Sequence, residues 1–146
     1  MAGSDRKKFR VEIITPYRIF FDSVVEMAVI TCQDGEIGVL PGHAPLVAAL
    51  VPGEIRLKID DKWLVASATK GYAEIGPEAM MIVVNAAEWP EEIDVRRAKQ
   101  ALARAEARIR SPRITPQAAE RSREGRERAK VRLHVAVEHG STDRIG

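Results

Sequence analysis

The stretch that decides the fold of the first part of the chain, Glu54–Thr69, reads Glu-Ile-Arg-Leu-Lys-Ile-Asp-Asp-Lys-Trp-Leu-Val-Ala-Ser-Ala-Thr. Apolar residues at 55, 57 and 59 alternate with basic residues at 56 and 58, which is the period of a half-buried strand. Asp60-Asp61 fits a tight turn, and a second strand is predicted over Trp63–Thr69. This stretch therefore predicts a β-hairpin.

The same pattern extends outward from this hairpin through the first 90 residues. Further strands are predicted at Phe9–Ile13, Arg18–Phe21, Met27–Ile30, Ile37–Leu40, Leu46–Val51, Ala73–Ile75 and Ala79–Val84. Turn residues separate them, notably at Gln33-Asp34-Gly35 and at the corner Pro41–Pro45. Eight or more short strands at close spacing favour a β-sandwich or barrel, and they argue against a dinucleotide-binding fold.

The remaining residues, 91–146, have the pattern of two helices. Asp94 precedes a run of good helix formers whose apolar residues recur at helical spacing, namely Ala98, Ala101, Leu102, Ala105 and Ile109. Ser111-Pro112 is expected to end the first helix because the residue before proline avoids the α region. Thr115-Pro116 restarts a helix, with Thr as N-cap and Pro at the first position. The short connection predicts an antiparallel hairpin.

The second predicted helix has few residues that could hold it in place. Its better apolar stripe consists of Ala129, Leu133, Ala136 and Val137, and Gly125 interrupts its middle. Few large apolar groups are available on the two helices, at roughly 1.5–3 kcal/mol each when fully buried. We therefore expect a weakly docked, mobile hairpin after a rigid β domain, with the boundary between residues 90 and 91.

Charge and aromatic content divide the chain at the same place. Residues 1–90 carry 9 Lys and Arg against 12 Asp and Glu, whereas residues 91–146 carry 14 against 9. All seven aromatic residues precede residue 90, and 12 arginines follow it. A single cysteine, Cys32, excludes a disulfide framework and a cysteine zinc cage and is predicted to be a small core residue. The sequence predicts no secretory signal and no membrane helix.

One long motif identifies a resemblance. The run Asp34-Gly35-Glu36-Ile37-Gly38-Val39-Leu40-Pro41-Gly42-His43-Ala44-Pro45-Leu46 resembles the signature of the epsilon subunits of F-type ATP synthases. Val51–Arg56 and Gly71–Ile75 are similar to later segments of that family, although Lys70 stands where many members have a second glycine. The resemblance spans about Phe9 to His139. It implies a ten-stranded antiparallel β-sandwich followed by an antiparallel two-helix hairpin.

The resemblance also implies a function and partners. Members are non-catalytic subunits of the rotary central stalk, in which the sandwich binds the gamma subunit and the ring of c subunits. The helical hairpin reaches the catalytic alpha/beta head and restrains ATP hydrolysis. Such a chain would be bacterial, with no obligatory cofactor, and peripheral at the cytoplasmic side of the cell membrane only through the complex. The residues implied at the c ring are Gln33, Asp34, Gly35 and Glu36 in one turn and Pro41, Gly42, His43 and Ala44 in the next corner.

A second motif, Ile93-Asp94-Val95-Arg96-Arg97-Ala98, resembles a sequence that binds ATP in some bacterial members. The resemblance implies a regulatory ATP site formed by Glu88, Ile93, Asp94, Arg97, Ala98, Arg104, Arg128 and Arg132. Arg128 and Arg132 are four residues apart on one helix face, and guanidinium groups suit phosphate oxygens. The resemblance implies that the hairpin can either extend towards the catalytic head or fold down against the sandwich, and a nucleotide at this site would favour the folded-down conformation.

Simpler interpretations remain for the same residues. Asp94 can serve as a helix N-cap alone, and the arginines can form a solvated face. A basic hairpin also permits nucleic-acid binding, although aromatic residues for base stacking are absent from residues 91–146. His43 is assigned to a turn or interface, and no metal is assigned to His134 and His139, which lie five apart. We therefore predict no nucleic-acid partner, and the absence of a phosphate-binding loop argues against catalysis by this chain alone.

Overall fold

The computed structural model describes residues 7–140, which fall into two compact units. The first unit ends at Ala87 and the second begins at Glu88, whereas the sequence analysis placed the boundary after residue 90. The strands belong to the first unit, except that the last one, Ala87–Glu88, spans the boundary, and the helices belong to the second unit. The charge division was counted over residues 1–90 and 91–146, of which residues 1–6 and 141–146 lie outside the described part of the chain.

The first unit is built from short strands joined by tight connections. The strands are β1 (Phe9–Ile14), β2 (Ile19–Val25), β3 (Met27–Cys32), β4 (Gly35–Val39), β5 (Leu46–Leu50), β6 (Gly53–Ile59), β7 (Lys62–Ala68), β8 (Gly71–Ile75), β9 (Ala79–Val84) and β10 (Ala87–Glu88). Their order is β10-β7-β6-β3-β5-β8-β9-β1-β2, and β4 pairs with β3 off this path. The predicted β-sandwich is therefore confirmed.

Two halves of this sheet face each other across the core. They are joined by a single register pair between β3 and β5, Cys32 with Leu50. Inward-facing side chains alternate with outward ones along the strands, as in β1, where Phe9, Val11 and Ile13 are buried. The largest fully buried side chains of the first unit are Ile13, Ile30, Leu57, Ile82, Val11, Val25 and Val39.

One strand pairing corrects the expectation of an entirely antiparallel sandwich. β1 and β9 run parallel, with Arg10 opposite Ala79 and Ile14 opposite Val83. Strands that follow one another through a tight turn must be antiparallel, but β1 and β9 are separated by the whole unit and are free of that constraint. Local sequence patterns carry no information on such a pairing.

The predicted turn between β6 and β7 is confirmed by the backbone. Ile59 pairs with Lys62, so Asp60 and Asp61 alone form the loop. Their φ angles are 50° and 63°, the left-handed values that a two-residue hairpin requires and that Asp tolerates better than most residues. The buried carboxylate of Glu26 accepts the Asp61 N–H at 3.1 Å, which holds this turn against β3.

The second unit contains the two helices at the predicted places. α1 (Val95–Arg110) begins after Asp94 and ends at Ser111, and α2 (Pro116–Val135) begins after Thr115. The side chains of Asp94 and Thr115 accept the N–H groups of Arg97 and Ala118, at 3.1 Å each. Both predicted N-caps are thus confirmed. A short 3-10 helix, Pro90–Glu92, precedes α1.

The two helices pack through small side chains. Ala98 and Ala105 are buried on α1, and Ser122 and Ala129 are buried on α2. Each pair is seven residues apart, so each repeats on one helix face. Such small residues let the two backbones approach closely, and the stripe on α1 agrees with the prediction.

The end of α2 departs from the prediction. Residues Ala136–Gly140 form a π-helix, whose i→i+5 hydrogen bonds widen the turn and rotate the following side chains. Val135, the last residue of α2, is fully buried, whereas Val137, within the π-helix, is 63% exposed. The assignment of Val137 to the buried stripe was therefore wrong, because it assumed a regular α-helix to the end.

Candidate functional site

Asp94 and Arg97 open the region in which the sequence predicted a nucleotide site. Besides capping α1, Asp94 places its second carboxylate oxygen 3.5 Å from Nε of Arg97. The Arg97 side chain is 80% exposed, so its guanidinium can still reach a ligand. Ile93, just before the cap, is buried, as is Ala98 in the first turn. The cap and the apolar anchors therefore fix the start of the helix and leave the arginine open.

Glu88 and Arg132, two further predicted site residues, contact each other directly. Arg132 donates from Nε to Oε1 of Glu88 at 2.7 Å and from its terminal amino group to Oε2 at 3.2 Å. Both side chains are 27% exposed. The two residues lie 44 positions apart and both belong to the second unit. This bidentate pair joins α2 to the segment before α1.

Helix geometry puts the site arginines on one side of the hairpin. Arg97 and Arg104 each precede a buried alanine of α1 by one residue, and Arg128 precedes the buried Ala129 of α2 in the same way. In an antiparallel pair, residues with the same angular offset from the contact line lie on the same side of the two axes. Arg132, three residues after Ala129, falls on that side as well.

The heights of these arginines also correspond. Arg97 lies 13 residues before the end of α1, and Ala129 lies 13 residues after the start of α2, so Arg97 and Arg128 are nearly level. Arg104 is seven residues from Arg97, about 10 Å nearer the loop. Arg104 lies at nearly the same height along the hairpin axis as Arg121, an exposed arginine that the sequence analysis did not name. The spacing of seven between Arg121 and Arg128 was the signal that could have found it.

The arginine edge, defined as Arg97, Arg104, Arg121, Arg128 and Arg132, has the chemistry of a polyphosphate site. Of these five residues, Arg97 lies 3.5 Å from a carboxylate oxygen of Asp94 and Arg132 lies 2.7 Å from one of Glu88. Guanidinium forks bind phosphate oxygens in pairs. A nucleotide would therefore find donors along the edge, and the carboxylates would hold two of the arginines in position.

The predicted c-ring turns lie at the two ends of one strand. The first, Gln33–Glu36, runs into the start of β4, and the second, Pro41–Ala44, follows its end. The five-residue strand between them spans about 13 Å. Within residues 7–140, β4 pairs only with β3, so its other edge is open. The two turns and this edge form one continuous surface, which we call the β4 surface.

Both turns are held by specific contacts. Arg56 of β6 donates two hydrogen bonds to Glu36, at 2.6 and 3.2 Å, and this partner raises the pKa of Arg56. Gly35 and Gly42 adopt φ angles of 129° and 83° that favour glycine. The Gly42 N–H donates to the carbonyl of Pro77 at 2.8 Å. The sequence analysis missed Arg56, because nothing local connects it with a residue 20 positions away.

The corner also determines where His43 sits. The Nδ1 atom of His43 lies 2.7 Å from the carbonyl oxygen of Ala44, and the backbone N–H of His43 donates to the carbonyl oxygen of Leu40 at 3.2 Å. These are contacts within the turn, as predicted for this histidine.

Cys32 is only partly buried, and burial followed by the charge of Asp34 raises the pKa of its thiol.

Two further observations concern residues 7–140. No group of three or more His, Cys, Asp or Glu side chains there could hold a metal ion. No helix in this part of the chain is long and apolar enough to cross a membrane.

The fold and these surfaces define a class of small, two-unit proteins, in which a ten-stranded β-sandwich precedes a two-helix hairpin. The family model of the ATP synthase delta/epsilon chain β-sandwich domain matches residues 8–90. An ATP synthase epsilon chain of Caldicellulosiruptor saccharolyticus is 38% identical over 136 residues, 93% of this chain and 98% of the relative. One from Ruminiclostridium cellulolyticum is 45% identical over 101 residues, 69% of this chain and 75% of the relative. The chain therefore belongs to the family of ATP synthase epsilon chains.

A solved structure supports the fold independently. A chain in the cryo-EM structure of the Euglena gracilis mitochondrial ATP synthase, containing OSCP, F1 and the c-ring, matches with a TM-score of 0.77. It is 23% identical, and the match covers 90% of this chain and 82% of that chain. The fold is thus shared with that chain, and the family model and the bacterial relatives confirm the resemblance drawn from Asp34–Leu46.

Proposed function

We propose that this chain is a central-stalk subunit of a bacterial, proton-translocating F-type ATP synthase. Its sandwich would bind the gamma subunit and the c ring, and its hairpin would reach the catalytic alpha/beta head to restrain ATP hydrolysis. The observation that carries this proposal is the match over 93% of the chain and 98% of a bacterial epsilon chain. The chain would then sit at the cytoplasmic side of the cell membrane through its partners.

The β4 surface is the part of the sandwich that we assign to the c ring. An open strand edge between two exposed turns can accept contacts from another protein. The Glu36–Arg56 pair and the Gly42–Pro77 hydrogen bond hold both turns in place before binding. A surface that is already ordered loses less conformational entropy when a partner binds.

The arginine edge is the part of the second unit that we assign to ATP. The triphosphate would lie along the levels of Arg97 and Arg128, with Arg104, Arg121 and Arg132 as further donors. Because these arginines come from both helices, a bound nucleotide would join α1 to α2. The ligand would therefore stabilise the closed hairpin.

The size of this effect is suited to a switch. A ligand at a hundred times its dissociation constant stabilises the state that binds it by about 2.7 kcal/mol. The hairpin itself is held by small residues and one half-buried ion pair. A contribution of this size can therefore change which hairpin conformation is populated.

Calorimetric titration of the full chain with ATP tests the nucleotide site. We expect binding, and we expect Arg97→Ala and Arg128→Ala each to weaken it by about tenfold or more. Arg113→Ala is the matched control, because it removes an exposed arginine from the loop between the helices. Absence of heat at millimolar ATP, or equal weakening by Arg113→Ala, would contradict the assignment.

The stalk role is tested with partners. Purified gamma subunit should form a stable complex with the full chain, and adding the chain to the catalytic complex should lower its ATP hydrolysis. Removal of residues 111–146 should relieve that inhibition and leave the complex with gamma intact, because the sandwich lies in the first unit. Failure of the wild-type chain to bind gamma would refute the stalk role.

A further inference from the structure

The side of the hairpin opposite the arginine edge carries a second row of residues, which we call the apolar edge. Each member follows a buried contact residue of its own helix by four positions or precedes one by three, so it lies beside the line of contact between the helices. The row repeats every seven residues on both helices, as the buried residues do. Its six members are Val95, Leu102 and Ile109 on α1 and Ala119, Arg126 and Leu133 on α2.

Arg126 is the one charged residue of the apolar edge. The other five members are apolar, and all six are half-buried. Because Arg97 and Arg128 are nearly level, Arg126 lies at about the height of Lys99, between Val95 and Leu102. The repeat therefore places a guanidinium where an apolar side chain would pack against the other helix.

The guanidinium of Arg126 is poorly satisfied at this position. Its side chain is 30% exposed, yet its Nε is buried and has no hydrogen-bond partner among residues 7–140. Oε1 of Glu127 lies 3.5 Å from this Nε, but Glu127 is 51% exposed and lies 3.9 Å from Lys130 as well. A buried N–H without an acceptor has lost its hydrogen bond to water and gained none in exchange. The closed hairpin therefore carries an energetic cost at Arg126.

The helix contact offers little to offset this cost. Its repeating buried residues on α1 are alanines, and those on α2 are Ser122 and Ala129, which bury little apolar area. A polar residue at a single contact position of paired helices lowers their stability. Arg and Leu have nearly the same helix propensity, so replacing one by the other changes the contact and leaves the helix itself unaffected.

We propose that Arg126 is a destabilising charge built into the helix contact, which keeps the closed hairpin near equilibrium with its open form. The energetic role stands on the geometry alone, whereas its use in regulation rests on the proposed function, in which the open hairpin reaches the catalytic head. With Arg126 in place, closure is weak enough for a bound nucleotide to decide the conformation. An apolar residue at this position would hold the hairpin closed without a ligand.

Hydrogen exchange of the α2 amides in the full chain measures this equilibrium. We expect these amides to exchange about tenfold more slowly in Arg126→Leu than in wild type, and more slowly also in Arg126→Met, which keeps an unbranched stem and removes the guanidinium. Amides of β1 and β9 should be unchanged. Lys99→Leu is the matched control, because it removes one positive charge from an exposed site at about the same height, and its exchange should stay within about twofold of wild type.

Three results would overturn the energetic role. The first is exchange in Arg126→Leu and Arg126→Met as fast as in wild type. The second is equal slowing by Lys99→Leu, which would assign the effect to net charge. The third is slowing that disappears when the protein is diluted, which would assign it to association between copies of the chain.

The regulatory use is measured with the catalytic complex. Arg126→Leu should inhibit ATP hydrolysis about tenfold more weakly than wild type, because its hairpin opens less often. Slower exchange combined with undiminished inhibition would overturn the regulatory use. A wild-type chain that does not inhibit would instead contradict the proposed function, and the exchange result would still decide the energetic role of Arg126.

Discussion

Replacement of Gly71 by alanine should destabilise the sandwich far more than the loss of one glycine suggests. Gly71 begins β8 and lies opposite Val84 of β9. A Cβ at this position would lie 1.9 Å from the carbonyl oxygen of Val83, and 2.9 Å from the Val83 carbonyl carbon and from Cα of Val84. All three atoms belong to the backbone, so no side-chain rotation can relieve the clash.

The expected magnitude follows from this geometry. Ordinary van der Waals contact begins near 3.4 Å, so β8 and β9 must separate locally by more than an ångström. Overpacking of this kind costs about 3 kcal/mol once the strand hydrogen bonds are stretched. For a unit of this size, that corresponds to a melting temperature roughly 10 to 20 °C lower.

Thermal and urea unfolding of the full chain, followed by circular dichroism, measure this effect. Gly76→Ala is the matched control, because a Cβ there would meet nothing closer than 3.5 Å and would be close to neutral. A Gly71→Ala protein within 0.5 kcal/mol of wild type would refute the reasoning. Equal destabilisation by Gly76→Ala would refute it as well, since the effect would then come from glycine loss in general.

Three further perturbations test other parts of the structure. Thr115→Ala removes the N-cap of α2 and should cost about 1 kcal/mol, seen as lower helicity on heating. Glu88→Gln breaks the bidentate pair with Arg132 and should cost about 1 kcal/mol of hairpin stability because both groups are partly exposed, measured by hydrogen exchange along α2. The hydrogen bond from Arg10 lowers the pKa of Asp22. The pair therefore stabilises the fold at a pH above the ordinary carboxyl pKa, and this contribution is lost as the pH falls through the lowered pKa. In Arg10→Met, an NMR titration should show that the pKa of Asp22 rises towards its ordinary value.

Features encoded by neighbouring residues were predictable from the sequence. The Asp60-Asp61 turn and the two N-caps depend on hydrogen bonds and φ angles within a few residues. The end of α1 at Ser111 follows from the proline beside it. Such signals act within one turn or one hairpin, so they survive without knowledge of the rest of the chain.

Features that join distant segments were not predictable in this way. The parallel β1–β9 pair, the Glu36–Arg56 pair and the Glu88–Arg132 pair connect residues 20 to about 70 positions apart. Glu88 and Arg132 were named as site residues by resemblance, but their direct contact was not foreseen. Val137 was misplaced because the prediction assumed a regular α-helix, whereas Ala136–Gly140 form a π-helix.

The sequence by itself determined the division into a β-rich and a helical part, the family signature and the arginine-rich composition of the second unit. These properties are contained in residue types and short spacings. Tertiary structure alone decided which arginines share an edge and that, within residues 7–140, β4 pairs only with β3. It also aligned one residue from each of five strands in a single row, namely Ala49, Tyr72, Val83, Ile14 and Ile19. Strand order and register bring these residues together, and both are set by nonlocal burial in the core.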